Sequence, residues 1–216
     1  MTPERYQKIR AVLDRRQPDL TAILEDLDKP HNFSAILRTC DAVGVHEAHA
    51  VHTYTEIPTF NKVAQGSQKW VQLVSHITVE AAIAHLHQRH FRIYAAHLSD
   101  TSIDYCQVDY TKPTAILLGA ERWGVSDRAA ARVDGHIIIP MQGMVESLNV
   151  SVAAAVILFE ANRQRMAAGM YDRVRLDATT YQRLLFELSY PSLAATYQAQ
   201  QKPYPLLNEA GEILQI

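Results

Sequence analysis

Residues 114–126 read TAILLGAERWGVS. Thr114 to Leu118 carry no charge and are mostly apolar or β-branched, the pattern of a strand buried on both faces. Gly119 and Gly124 bracket a polar loop, and Ser126 can cap a helix running to Val133. A strand that hands over to a helix is one step of a parallel α/β layer fold. The step recurs outward in both directions. Strands are predicted over 20–27, 45–53, 70–74, 91–98, 114–118 and 136–139, with helices over 32–43, 79–90, 126–133 and 149–168. The helix at 32–43 has Asn32 as a natural N-cap, an apolar stripe of Phe33, Ile36, Leu37, Cys40 and Val43, and Gly44 beyond its end. Thr2-Pro3 opens a further helix with Tyr6, Ile9 and Leu13 on one face, and another is predicted around Tyr181–Leu188. The fold class is α/β: a mostly parallel sheet flanked by helices, with helical extensions at both ends. Ligands of such sheets sit beyond the carboxyl ends of strands, which singles out the loops after Leu98, Leu118 and Ile139.

Composition narrows the function. Hydrophobic residues are 48% and charged residues 20% of 216, enough for a sizeable core and too apolar for a disordered chain. The net charge of -2 disfavours a nucleic-acid binder only when taken whole. Residues 1–20 hold five Lys/Arg against three acids, as do residues 160–183, so each end is basic while the middle is acidic. Cys40 and Cys106 form no Cys-x-x-Cys pair and read as buried thiols. The charged N-terminus has no apolar leader and no run reaches membrane length, so a cytoplasmic location is expected. The spacings of His46, His49 and His52, and of His85, His87 and His90, put neither set on one face, so no metal site is expected. Gly119 and Gly124 have P-loop spacing, but Val125 stands where the lysine must be, which excludes phosphate hydrolysis by that route. No G-x-G-x-x-G or G-x-S-x-G occurs.

Three segments carry chemistry together: residues 29–39 (KPHNFSAILRT), residues 117–126 (LLGAERWGVS), and residues 138–153, with IPM at 139–141 and ESLNVSVA at its end. Together they resemble the three motifs of the SpoU group of SPOUT (trefoil-knot) methyltransferases. The opening RYQKIRAVLDRRQPDLT and the segment EANRQRMAAGMY resemble the TrmH branch, whose substrate is the 2′-hydroxyl of guanosine 18 in the tRNA D-loop. The resemblance implies a methyltransferase core over 20–163 with a deep knot near 114–163, a helical extension over 1–19 and another over 164–216. It also implies S-adenosylmethionine as cofactor, tRNA as partner and an obligate homodimer, with no membrane and no metal.

Carried over residue by residue, the resemblance places Arg38 at the reacting 2′-hydroxyl, either as the base or as a phosphate and alkoxide stabiliser. An arginine is ordinarily always protonated, so its spacing leaves both roles open. Asn32, Glu121, Ser147 and Asn149 are the other implied catalytic positions, against plainer readings as helix caps; for Glu121 that is a cap on the helix after Ser126. Ala96, Leu98, Gly119, Ile139, Met141 and Leu148 are the implied cofactor positions, with Gly119 serving close backbone approach to a ligand. Arg15, Arg16, His31, Arg163 and Arg165 are the expected RNA contacts. Trp123 reads as packing. A non-catalytic RNA-binding homodimer of the same fold, and methylation of another RNA, are the rival readings.

Overall fold

A computed structural model describes residues 1–52 and 70–214. In chain order the elements are α1 (Pro3–Leu13), β1 (Leu20–Glu25), α2 (Pro30–Ala42), β2 (Glu47–Val51), β3 (Gln72–His76), α3 (Val79–Gln88), β4 (Arg92–Ala96), β5 (Ile103–Asp104), β6 (Thr114–Leu118), α4 (Asp127–Ala130), β7 (Gly135–Ile138), α5 (Val150–Ala167), α6 (Ala178–Ser189) and α7 (Pro191–Ala199). The expected strand–helix alternation is present. Thr53, the predicted end of the second strand, lies outside the described residues. β5 and α7 were not anticipated: the first is two residues long, and the second starts at Pro191, just past the helix predicted around Tyr181–Leu188.

Pro18–Gly169 form one compact unit. Its seven strands lie in the order β3-β2-β1-β6-β4-β7-β5, and every pairing is parallel. Alternation along the strands divides the core into two layers. Leu20, Ala22 and Leu24 of β1 and Ile116 and Leu118 of β6 pack with α2 and α5 on one face. Ile23, Ala115 and Leu117 pack with α3 and α4 on the other. A strand buried on both faces must be apolar throughout, which is why β6 shows no polar alternation. After β7 the chain returns across the sheet, and α5 packs on α2.

Arg165, on the last turn of α5, is completely buried. Its guanidinium donates to the Asp19 carboxylate at 2.6 Å, the Asp19 carbonyl at 3.0 Å, and the carbonyls of Tyr110 and Lys112 at 2.8 and 3.1 Å. A buried arginine with its donors engaged in this way ties α5 to the entrances of β1 and β6.

The second unit joins Met1–Gln17 to Met170–Ile216. In it α1 packs on α6 and α6 on α7. Tyr181 donates to Asp14 at 2.7 Å, and Tyr6 to the carbonyl of Asn208 at 3.1 Å. Gly211, at φ +82°, lies against the Tyr6 ring with no room for a Cβ.

Cys40 is buried as expected, but Cys106 is exposed, because it sits in a short 3₁₀ turn rather than in a regular element. The histidines converge across elements rather than along them. His49 of β2, His76 of β3 and His85 of α3 have ring centroids 5.2–5.6 Å apart. His49 Nδ1 and His76 Nε2 share a hydrogen bond of 3.0 Å. Glu47 and Arg89 pair beside them. Among the described residues no such group is arranged to hold a metal ion. Burial, with the charges of His49 and His85, lowers the His76 pKa from 6.5 to about 4 against a smaller opposing pull from Glu47. The folded state therefore disfavours protonated His76. That contribution to stability is whole above about pH 6.5 and is lost as pH falls toward 4. The melting temperature should fall between pH 7.5 and 5, and the fall should be shallower in His76→Gln; an identical slope in the variant would remove His76 as its source.

Candidate active site

Because β4 lies between β6 and β7, the loops leaving all three strands open onto one cavity of about 740 Å³. Ala96, Leu98, Gly119, Ile139, Met141 and Leu148 all line it, as do Glu121, Ser147 and Asn149. The structure thus brings together nine of the positions singled out from sequence. Its walls mix polar and apolar groups, with the buried Leu118 and Ile157 among the apolar ones and Lys29 and Glu146 adding charge.

The loop after β6 closes on itself. Gly124 donates to the carbonyl of Ala120 at 2.7 Å, and Gly124 takes φ +69°. A Cβ on Gly119 would overlap the backbone of Gly124 and Val125. Gly119 is therefore required for closure of the loop, and it also lines the cavity.

From this loop Glu121 reaches to the start of α2. Its carboxylate accepts from the amides of Asp28 and Lys29 at 3.2 and 3.3 Å and from Asn32 Nδ2 at 2.7 Å. Burial alone would raise the Glu121 pKa, but these hydrogen bonds, with the Asn32 side chain foremost among them, hold it below the usual value. The charge also sits at a helix N-terminus, where an anion is favoured. Lys29 is the N-cap and its side chain makes no cap bond. Pro30 at the first position moves the helix start two residues before the expected one, so Asn32 lies inside the first turn and is not the cap. Glu121 does not cap the helix after Ser126 either; Ser126 does so itself, accepting from Ala129 at 3.2 Å.

Asn32 continues the chain of contacts. Its Oδ1 accepts from Asn149 Nδ2 at 3.3 Å. Asn149 is the N-cap of α5 as its sequence position suggests, with Oδ1 accepting from the amide and hydroxyl of Ser151 at 2.8 and 2.6 Å. One network so links the segments around 28–32, 119–126 and 147–151. Ser147 is exposed at the cavity edge. Arg38 is exposed on α2, outside the cavity lining, and among the described residues no acid pairs with it.

The expected RNA contacts separate by burial. Arg15 and His31 are exposed, and so is Arg163, whose guanidinium grips Glu160 at 2.7 and 2.8 Å. Arg16 is 1% exposed and Arg165 0%, so both are withdrawn as RNA contacts. Trp123 is 78% exposed beneath the Arg122 guanidinium and does not pack into the core, which corrects that reading. Glu25 was missed. It is a buried carboxylate ending an apolar strand, and a charge closing an otherwise apolar run was the available signal.

The chain matches the SpoU rRNA Methylase family over residues 19–159 and the family described as SpoU, rRNA methylase, C-terminal over residues 163–215. A tRNA (guanosine(18)-2'-O)-methyltransferase of Thermus thermophilus is 60% identical over 184 residues, 85% of this chain and 95% of the relative. The solved structure of the Aquifex aeolicus TrmH/SpoU tRNA modifying enzyme has a TM-score of 0.82 at 41% identity, covering 88% of this chain and 97% of that one. The SpoU methyltransferase AviRb of Streptomyces viridochromogenes, solved with its cofactor AdoMet, has a TM-score of 0.62 at 25% identity, over 71% of this chain and 59% of that one.

Gly119→Ala should destabilise the protein by about 1–3 kcal/mol through forced loop displacement. That is roughly 2–10 °C in Tm for a chain of this size. An unchanged Tm would show that the loop does not depend on the Gly119–Gly124 approach.

Proposed function

The chain belongs to the SpoU rRNA methylase family, and from that premise we propose that it transfers a methyl group from S-adenosylmethionine to the ribose 2′-hydroxyl of guanosine 18 in the D-loop of tRNA. The observation that carries this reading is the meeting of the three motif segments at one strand-end cavity through Glu121, Asn32 and Asn149. The name borne by the Thermus relative, at 60% identity, gives the substrate.

The cavity fits the cofactor. Apolar Leu98, Leu118, Ile139 and Leu148 would suit a purine, and Glu121 adds a carboxylate to a lining that would take a cationic cofactor. Ala96 has no side-chain hydroxyl, so its contribution is through the main chain. When bound, S-adenosylmethionine supplies an electrophilic methyl group. The protein's own part is orientation and charge. Asn32 and Asn149, held by Glu121 and by the start of α5, fix the acceptor's side of the site, with Ser147 at its edge. Exposed and unpaired with any acid among the described residues, Arg38 is suited to grip an RNA phosphate and stabilise the alkoxide as it forms. Arg15, His31 and Arg163 extend the phosphate contacts, Arg163 exchanging Glu160 for RNA.

The reading includes a homodimer. Leu98, Met144, Val145, Val152 and Phe159, at 47–99% exposure, surround the cavity mouth and the outer face of α5, an apolar area that a second copy would cover. It also includes the trefoil knot, supported by the return of the chain after β7 to set α5 on α2, and a cytoplasmic location. No helix among the described residues is long and apolar enough to cross a membrane.

With labelled cofactor and transcript tRNA, the methyl group should appear on guanosine 18, and replacement of that base by adenosine should remove it. Arg38→Ala should lower turnover by a factor of about 10²–10³ or more, the scale of losing a transition-state charge partner. Binding of tRNA should largely survive. Methylation that persists with adenosine at 18 would assign another nucleotide, and full turnover by Arg38→Ala would remove Arg38 from the reaction.

A further inference from the structure

Glu25 departs from the pattern of its own strand. Leu20 to Leu24 are buried, and Glu25, also only 3% exposed, closes β1 between β2 and β6 with a carboxylate. Both oxygens are committed to one residue: Oε2 accepts from the Ser126 amide at 3.1 Å and Oε1 from the Ser126 hydroxyl at 2.5 Å. The hydroxyl oxygen in turn accepts from Ala129 at the start of α4. A buried carboxylate costs free energy that an apolar residue in its place would not, so packing alone does not account for it. The next residue, Asp26, turns the chain through φ +46° into the segment whose amides meet Glu121.

The loop 119–126 is therefore secured at both ends, at Gly119 by its approach to Gly124 and at Ser126 by Glu25. Between those points Glu121 reaches Asn32. We propose that Glu25 is a positioning residue for methyl transfer: through Ser126 it sets the loop that presents Glu121 to Asn32. The inference rests on the methyltransferase reading above, and it adds a residue outside the three motif segments.

The test is steady-state kinetics on the full chain with transcript tRNA and S-adenosylmethionine, for the wild type, Glu25→Gln, Ser126→Ala and the double variant. Glu25→Gln should lose at least ten-fold in kcat while KM for tRNA stays within two-fold. Ser126→Ala, which keeps the amide but loses the hydroxyl, should lose kcat in the same direction, and the double variant should be no worse than the worse single one. Tm should change little in each. Unaltered kcat in Glu25→Gln, multiplied losses in the double variant, or a loss of kcat that only follows a falling Tm would overturn the inference. Should Glu25→Gln not fold, full kcat in Ser126→Ala would overturn it alone. No methyl transfer by the wild type would overturn the functional reading and this inference together, whereas an active wild type with an unimpaired Glu25→Gln would overturn this inference only.

Discussion

The carboxylate of Glu121 is the point on which the site depends. Three donors from the segment 28–32 converge on it, and from Asn32 the network passes to Asn149 and the start of α5. These residues are about 90 to 120 positions apart in the chain, so no local preference brings them together. What does so is a charge at the opening of a helix whose own cap residue gives no side-chain bond. The hydrogen bonds outweigh the cost of partial burial and keep the group ionised. Removal of that carboxylate would leave the buried Asn32 amide without its acceptor, which costs more than the bond contributes when made.

The sheet decides where this can happen. β4 stands between β6 and β7, so three strand ends deliver their loops to one place, and the fully buried β6 gives its loop a rigid base. Strand pairing ends at the loop after β6, and there two glycines let the chain double back within van der Waals contact. The loop is thus short, closed and stiff, which is what a residue that must reach across to another element needs. Arg165 does the corresponding work at the opposite end of α5, tying the helix to the strand entrances.

Much of this was legible. The apolar run 114–118, the caps at Ser126 and Asn149, and Gly44 at φ +81° act locally, and each stands where periodicity and end signals placed it. The helix at Asn32 began earlier because Pro30 at its first position outranked a good capping side chain. Burial of Arg16, just past α1, and of Arg165 on α5 was not legible, since an arginine in a basic run looks the same whether it faces solvent or the interior. The histidine cluster escaped for a related reason: it joins two strands and a helix, and spacing within one element is silent about that. Glu121 and Glu25 stood in the sequence in plain view, but their partners, Asn32 and Ser126, are fixed by topology alone.

Glu121 and Asn32, joined by a 2.7 Å hydrogen bond, form one unit of the site. A double-mutant cycle on the single-turnover rate of methyl transfer, with Glu121→Ala, Asn32→Ala and both together, tests it directly. If the account holds, the double variant is no slower than the slower single variant, because either change alone already breaks the link. Losses that multiply, each variant contributing its full factor independently, would contradict it.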